Sequence, residues 1–134
     1  MSETDRVIGR RTILLVEDDS TLRDVLLVIL RRGGYHVLAA GDGASALALA
    51  STYGGSIDLL VSDVVMQGLS GPATWEQLLQ DRPDVPVIFI SGYDRDVIRR
   101  HGVPESGAVF MQKPVSASAL LARVAEILGQ PAPP

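Results

Sequence analysis

Reactive side chains in this chain fall at the ends of apolar runs. Glu17, Asp18 and Asp19 follow one such run directly, Asp63 closes a second, Ser91 a third, and Lys113 stands just past a fourth. Carboxylates gathered in one cleft repel each other, and at neutral pH they take up protons or bind a cation. A donor set made only of oxygen, with no His or Cys, suits a hard ion and favours Mg²⁺ over Zn²⁺. Lys113 offers a compact positive charge to a carboxylate or a phosphoryl oxygen, and Ser91 offers a hydroxyl. Together these groups match phosphoryl transfer, in which positioning and charge neutralisation do most of the catalysis. A carboxylate such as Asp63 can itself be the nucleophile, giving an aspartyl-phosphate.

Whether these groups meet depends on the elements that carry them. Residues 12–16 form a short, solidly apolar run. Leu22, Val25, Leu26, Ile29 and Leu30 then recur at helical spacing, one apolar stripe, with Asp19 or Ser20 as the cap and Gly33-Gly34 as the stop. The alternation continues with strands over 35–40, 58–62, 87–90 and 108–111. The helices lie over 44–51, from Pro72 through Trp75, Leu78 and Leu79, over about 94–100, and through Leu120, Val124, Ile127 and Leu128. Strands that are apolar throughout, each followed by a helix, predict a doubly wound α/β fold. It has a five-stranded parallel sheet in the flavodoxin-like order 2-1-3-4-5, with five helices spread over both faces. In that order strands one, three, four and five are contiguous, and their C-terminal ends share one edge, where such folds bind ligands. The outer strand two ends in Ala40-Gly41 and adds no reactive group.

Composition narrows the function classes. A chain of 134 residues, 46% hydrophobic, is long and apolar enough for one domain with a full core. It has no apolar run of the roughly 20 residues that a spanning helix needs, and no secretory pattern opens it. The absence of cysteine excludes disulfides and thiolate chemistry, and the expected location is cytoplasmic. A net charge of −4 argues against nucleic-acid binding, and Arg6, Arg10 and Arg11 read as a solvated arm. The domain is expected over 12–129, between a flexible arm at 1–11 and a Pro-rich tail at 130–134, leaving no room for an output domain. Lys113 is the single lysine among twelve basic residues.

Taken singly, each of these residues has a plainer explanation. Glu17-Asp18-Asp19 can serve as helix capping, because acids favour a helix N-terminus, and Ser91 can be a turn residue. Trp75 reads as packing, and His36 and His101 as surface or strand-edge residues. Four strand ends matching one chemistry are hard to produce by accident.

The segments Ile13-Leu14-Leu15-Val16-Glu17-Asp18-Asp19, Leu60-Val61-Ser62-Asp63-Val64-Val65-Met66, Ile90-Ser91-Gly92 and Gln112-Lys113-Pro114 resemble those of response-regulator receiver domains, the CheY-like group. The resemblance covers about residues 12–129. It implies that Asp63 accepts a phosphoryl group from a histidine kinase or histidine phosphotransfer protein. It further implies that Glu17, Asp18, Asp63 and the backbone carbonyl of Val65 hold Mg²⁺, and that Ser91 and Lys113 contact the phosphoryl group. It implies a cis bond before Pro114 and a switch role for Phe110. Lacking a hydroxyl, Phe110 can switch through packing alone. The stretches around Phe89–Tyr93, 100–103 and 110–114 are closer in flavour to receivers of hybrid sensor histidine kinases. Gln67, Ser70 and Val115 depart from the usual proline, aspartate and phenylalanine, which bears on loop shape and partner surface. Tyr93, two positions past Ser91, is a candidate gate against water.

The expected function is therefore a phosphoacceptor rather than an enzyme, with phosphorylation altering the surface around residues 94–100, the fifth strand and the last helix. Neither nucleic acid nor membrane is an expected partner. A metal-dependent phosphatase would usually carry a second acid two residues past the nucleophile, where this chain has Val65. A flavodoxin-like cofactor binder would need a phosphate loop where Glu17-Asp18-Asp19 stands. A receiver-like scaffold that is never phosphorylated is the remaining alternative.

Overall fold

The computed structural model describes residues 10–92 and 108–129. Within them the chain runs β1 (Thr12–Val16), α1 (Ser20–Arg32), β2 (His36–Ala40), α2 (Gly43–Thr52), β3 (Leu59–Asp63), α3 (Gly71–Asp81), β4 (Val87–Ser91), β5 (Ala108–Gln112) and α4 (Ala117–Leu128). All strand pairings are parallel, in the order β2-β1-β3-β4-β5. The helix expected near residues 94–100 and the gate residue Tyr93 lie outside the described residues, as do residues 1–9 and 130–134.

Every residue of β1, β3 and β4 is buried, which is why these strands read as unbroken apolar runs. Alternation within each strand sends side chains to two separate cores. Leu14, Val16, Leu60 and Phe89 join Ala46 and Ala50 of α2 and Leu78 of α3 on one face. Ile13, Leu15, Val61 and Ile88 meet Leu26 and Leu30 of α1 and Leu120 and Val124 of α4 on the other.

Each helix begins on a side-chain cap. Asp19 accepts a hydrogen bond from the Leu22 N–H (3.1 Å), Asp42 from Ser45 (2.7 Å), Ser70 from Ala73 (3.1 Å) and Ser116 from Ala119 (3.1 Å). Ser70, one of the positions that depart from the expected pattern, thus serves as the cap of α3. Pro72 sits in the first turn of α3. At the far end of α3, Arg82 donates to the carbonyls of Ala50, Tyr53 and Gly55, tying it to the end of α2.

One element of the expected pattern is corrected. Val25 was placed on the buried stripe of α1 but is 49% exposed. The buried face centres on Leu26 and Leu30 and takes in Leu27, so Val25, about 140° around the helix from Leu30, falls on the rim.

Close packing between α3 and the end of β3 is made possible by a glycine. The Gly71 N–H donates to the Val64 carbonyl (2.9 Å), and a Cβ at Gly71 would run into the backbone carbonyl of Asp63 and press on Phe89. Gly71→Ala is expected to lower stability by about 1–3 kcal/mol, because backbone rather than a pliable side chain must move. Urea denaturation with an unchanged m-value checks this.

Candidate functional site

The ladder itself carries the reactive residues to the C-terminal edge of the sheet. Beyond β1, the Glu17 N–H still donates to the Ala40 carbonyl (3.1 Å), which keeps Glu17 within the sheet and buries it. Asp63 pairs with Ile90 as the last residue of β3, and Ser91 pairs with Gln112 as the last of β4. The Lys113 N–H then donates to the Ser91 carbonyl (2.8 Å), continuing the register one residue past β5.

Side chains converge from these anchors. The Lys113 ammonium lies 2.8 Å from Oε1 of Glu17 and 2.9 Å from Oδ2 of Asp63, bridging two carboxylates whose side chains are 2% and 9% exposed. The other Asp63 oxygen, Oδ1, accepts from the Val64 N–H (2.8 Å), and Glu17 Oε2 accepts from the Asp19 N–H (3.2 Å). Asp18 is exposed at the rim. Glu17, Asp18 and Asp63 each bring one carboxylate oxygen to within 4.8 Å of the others, close enough to hold a common metal ion. An all-oxygen donor set of this kind fits a hard divalent cation.

Electrostatics follow the geometry. The Asp18 carboxyl is pushed above the ordinary value by partial burial, by a hydrogen bond with Glu17 and by the charge of Glu17. Burial alone would lower the Lys113 ammonium, but its hydrogen bonds to Glu17 and Asp63 and their negative charges outweigh that and raise it.

Ser91 is fully buried beside this cluster. Val65 is half-buried in the loop after β3, and the Lys113–Pro114 peptide bond is cis. Phe110, half-buried on β5, stacks on Phe89 with ring centres 5.7 Å apart, and Phe89 meets the edge of Trp75 at 6.1 Å. The Trp75 indole donates to the Val85 carbonyl (2.9 Å), consistent with packing. His36 lies on β2, away from the cluster, stacked on Tyr53. Burial and the charges of Arg31 and Arg10 lower its pKa. His101 lies outside the described residues.

Two residues at the site escape motif reading. Gly71 seats α3 against Asp63, and Arg23 donates through Nη1 to the Glu17 carbonyl (2.9 Å). A cation early in a helix opposes the helix dipole, and that was the available signal for Arg23.

A parallel sheet in this order, with carboxylates and a single ammonium gathered at its C-terminal edge, defines a flavodoxin-like domain with an acidic pocket. The chain belongs to the response regulator receiver domain family, whose model matches residues 13–125. It is 38% identical over 120 residues to the sensor kinase CckA of Brucella abortus, covering 90% of this chain and 13% of that protein. It is 36% identical over 117 residues to the sensory transduction protein RegX3 of Mycolicibacterium smegmatis, covering 87% of this chain and 50% of that protein. The chain thus spans half or less of these curated relatives. Among solved structures, the receiver domain of the hybrid histidine kinase CckA superposes with a TM-score of 0.75 at 40% identity, covering 87% of this chain and 98% of that one. A response regulator receiver protein from Sinorhizobium medicae gives 0.79 at 27% identity, with 90% and 96% covered. Among the described residues, no helix is long and apolar enough to cross a membrane.

Proposed function

We propose that this domain is the Mg²⁺-dependent phosphoacceptor of a His-to-Asp phosphorelay, with Asp63 as the acceptor. The observation that carries the reading is the Lys113 ammonium bridging Glu17 and Asp63 where three carboxylates converge. Asp63 attacks the phosphorus of a phosphohistidine on a histidine kinase or phosphotransfer protein. An oxygen–phosphorus bond forms, the nitrogen–phosphorus bond breaks, and the imidazole departs with the electron pair and takes a proton. The Val64 N–H fixes one Asp63 oxygen during this step. Lys113 moves from carboxylate to phosphoryl oxygen as charge shifts outward, and the Ser91 hydroxyl donates to another phosphoryl oxygen. Glu17, Asp18, Asp63 and the Val65 carbonyl would hold Mg²⁺, which when bound would supply the remaining charge neutralisation.

Loss of the Lys113–Asp63 contact would then bias a two-state equilibrium read out by a partner. Phe110 contributes through its stacking on Phe89. Likeness to the CckA receiver favours a relay within or alongside a hybrid kinase, in the cytoplasm. Incubation with Mg²⁺ and acetyl phosphate, followed by intact-mass analysis, tests the reading. One added phosphoryl group that requires Mg²⁺ supports it, and none overturns it.

The raised Asp18 pKa sets a pH dependence. Metal binding needs the ionised carboxylate, so a proton held more tightly competes more strongly. Mg²⁺ affinity is expected to fall on acidification, starting at a higher pH than an ordinary carboxyl with its value of 3.8 would give. Calorimetric titrations at successive pH values, with Asp18→Asn as the control, measure this.

A further inference from the structure

We infer that Arg23 is a positioning residue for the metal-binding acids, its guanidinium lying in the space that Gly41, just after the edge strand β2, leaves open. This inference rests on the metal site of the reading above. Every polar group of Glu17 is engaged. Its N–H meets Ala40 of β2, its two carboxylate oxygens meet Lys113 and the Asp19 N–H, and its carbonyl accepts from Arg23 Nη1 at 2.9 Å. The carbonyl bond is the contact that governs where the chain goes next. It fixes the peptide plane between Glu17 and Asp18, and so the direction in which the exposed Asp18 carboxylate leaves the sheet.

Arg23 reaches that carbonyl from α1 across the end of β2. A Cβ at Gly41 would stand 2.9 Å from Nη1 and 3.6 Å from Cζ. Gly41, the residue directly after β2, thus leaves open the space in which the guanidinium lies. Its hydrogen-bond direction is set by a planar fork that an ammonium would not reproduce.

Charge and positioning make opposite predictions. A cation near three carboxylates repels Mg²⁺, so if Arg23 acted only through its charge, removing it would tighten Mg²⁺ binding. If Arg23 orients Glu17 and Asp18, removal weakens binding by about tenfold, the low end for groups that orient metal ligands. Two variants separate these effects. Arg23→Met keeps the length and removes both donor and charge. Gly41→Ala keeps the charge but displaces the guanidinium, at small cost to the fold because a flexible side-chain end must move.

Mg²⁺ dissociation constants from calorimetry are expected to rise about tenfold in both variants. The double variant should be no weaker than the weaker single one, because both act through one contact. Phosphorylation by acetyl phosphate should need more Mg²⁺ for half-maximal rate yet reach the wild-type rate at saturation. A general loss of folding would lower the plateau instead. Thermal melts without Mg²⁺ accompany each titration, and if Arg23→Met fails to fold, Gly41→Ala alone carries the test. Unchanged or tighter binding in the folded variants, in a wild type that takes up the phosphoryl group, overturns the role of Arg23 and leaves the phosphoacceptor reading standing. A wild type that neither binds Mg²⁺ nor takes up the group overturns both.

Discussion

Asp63→Asn is expected to reduce phosphoryl uptake from acetyl phosphate to background while leaving the domain folded. The amide is not a competent nucleophile, yet it keeps nearly the shape of the carboxylate, and its one carbonyl oxygen can still accept from one of the two donors, the Val64 N–H or the Lys113 ammonium. Lys113 retains Glu17 as an ionic partner, so no buried ammonium is stranded. Intact mass reports the added group, and far-ultraviolet circular dichroism reports the fold. Uptake that persists in the variant would move the acceptor to another residue. Uptake in the wild type that ignores chelation of Mg²⁺ would count against the metal's part alone.

The second large effect concerns Lys113. Its ammonium is the ionic partner of both Glu17 and Asp63 among the described residues, and both carboxylates are buried. Lys113→Met leaves these charges uncompensated, and stability without metal is expected to fall by about 3 kcal/mol. Mg²⁺ should restore much of that loss, since a ligand that binds the folded state stabilises it by an amount that grows with the logarithm of its concentration above Kd. The same residue gives the wild type an alkaline dependence. The Lys113 pKa is raised in the folded state, so its contribution is fully present below the unfolded value of 10.5 and fades as pH rises through the higher folded value. Lys113→Met should abolish that alkaline component. Denaturant titrations with and without Mg²⁺, and across pH 9–12, measure both. Equal stability of the two proteins at neutral pH without metal would mean that the carboxylates do not depend on the ammonium.

Much of this architecture is legible in the chain because the inner strands are buried on both sides. Unbroken apolar runs mark β1, β3 and β4, and the acids placed at the ends of β1 and β3 converge with Lys113. Boundaries were less legible. A reading based on apolar runs closes the third strand at 62, whereas Asp63 is itself paired in the ladder with Ile90. The polar residue at a strand end is held by the sheet and not by a loop, a difference that hydrophobic pattern cannot register. Val25 misled for a related reason: helical spacing identifies a stripe but not where its centre lies. Gly71 and Gly41 leave space open beside their neighbours, which no type-and-spacing pattern records, and Arg23 meets a backbone carbonyl, for which its place early in a helix is the one trace in the sequence.

The bridging ammonium has a mechanical consequence. In the sheet, β5 touches only β4, yet Lys113 reaches past β4 to the ends of β3 and β1. Neighbouring strands lie about 4.8 Å apart, so this one side chain acts as a latch between the rim of the sheet and its middle. Neutralising either carboxylate leaves the ammonium one ionic partner in place of two. A change of charge at the centre of the sheet therefore alters the hold on the edge strand β5.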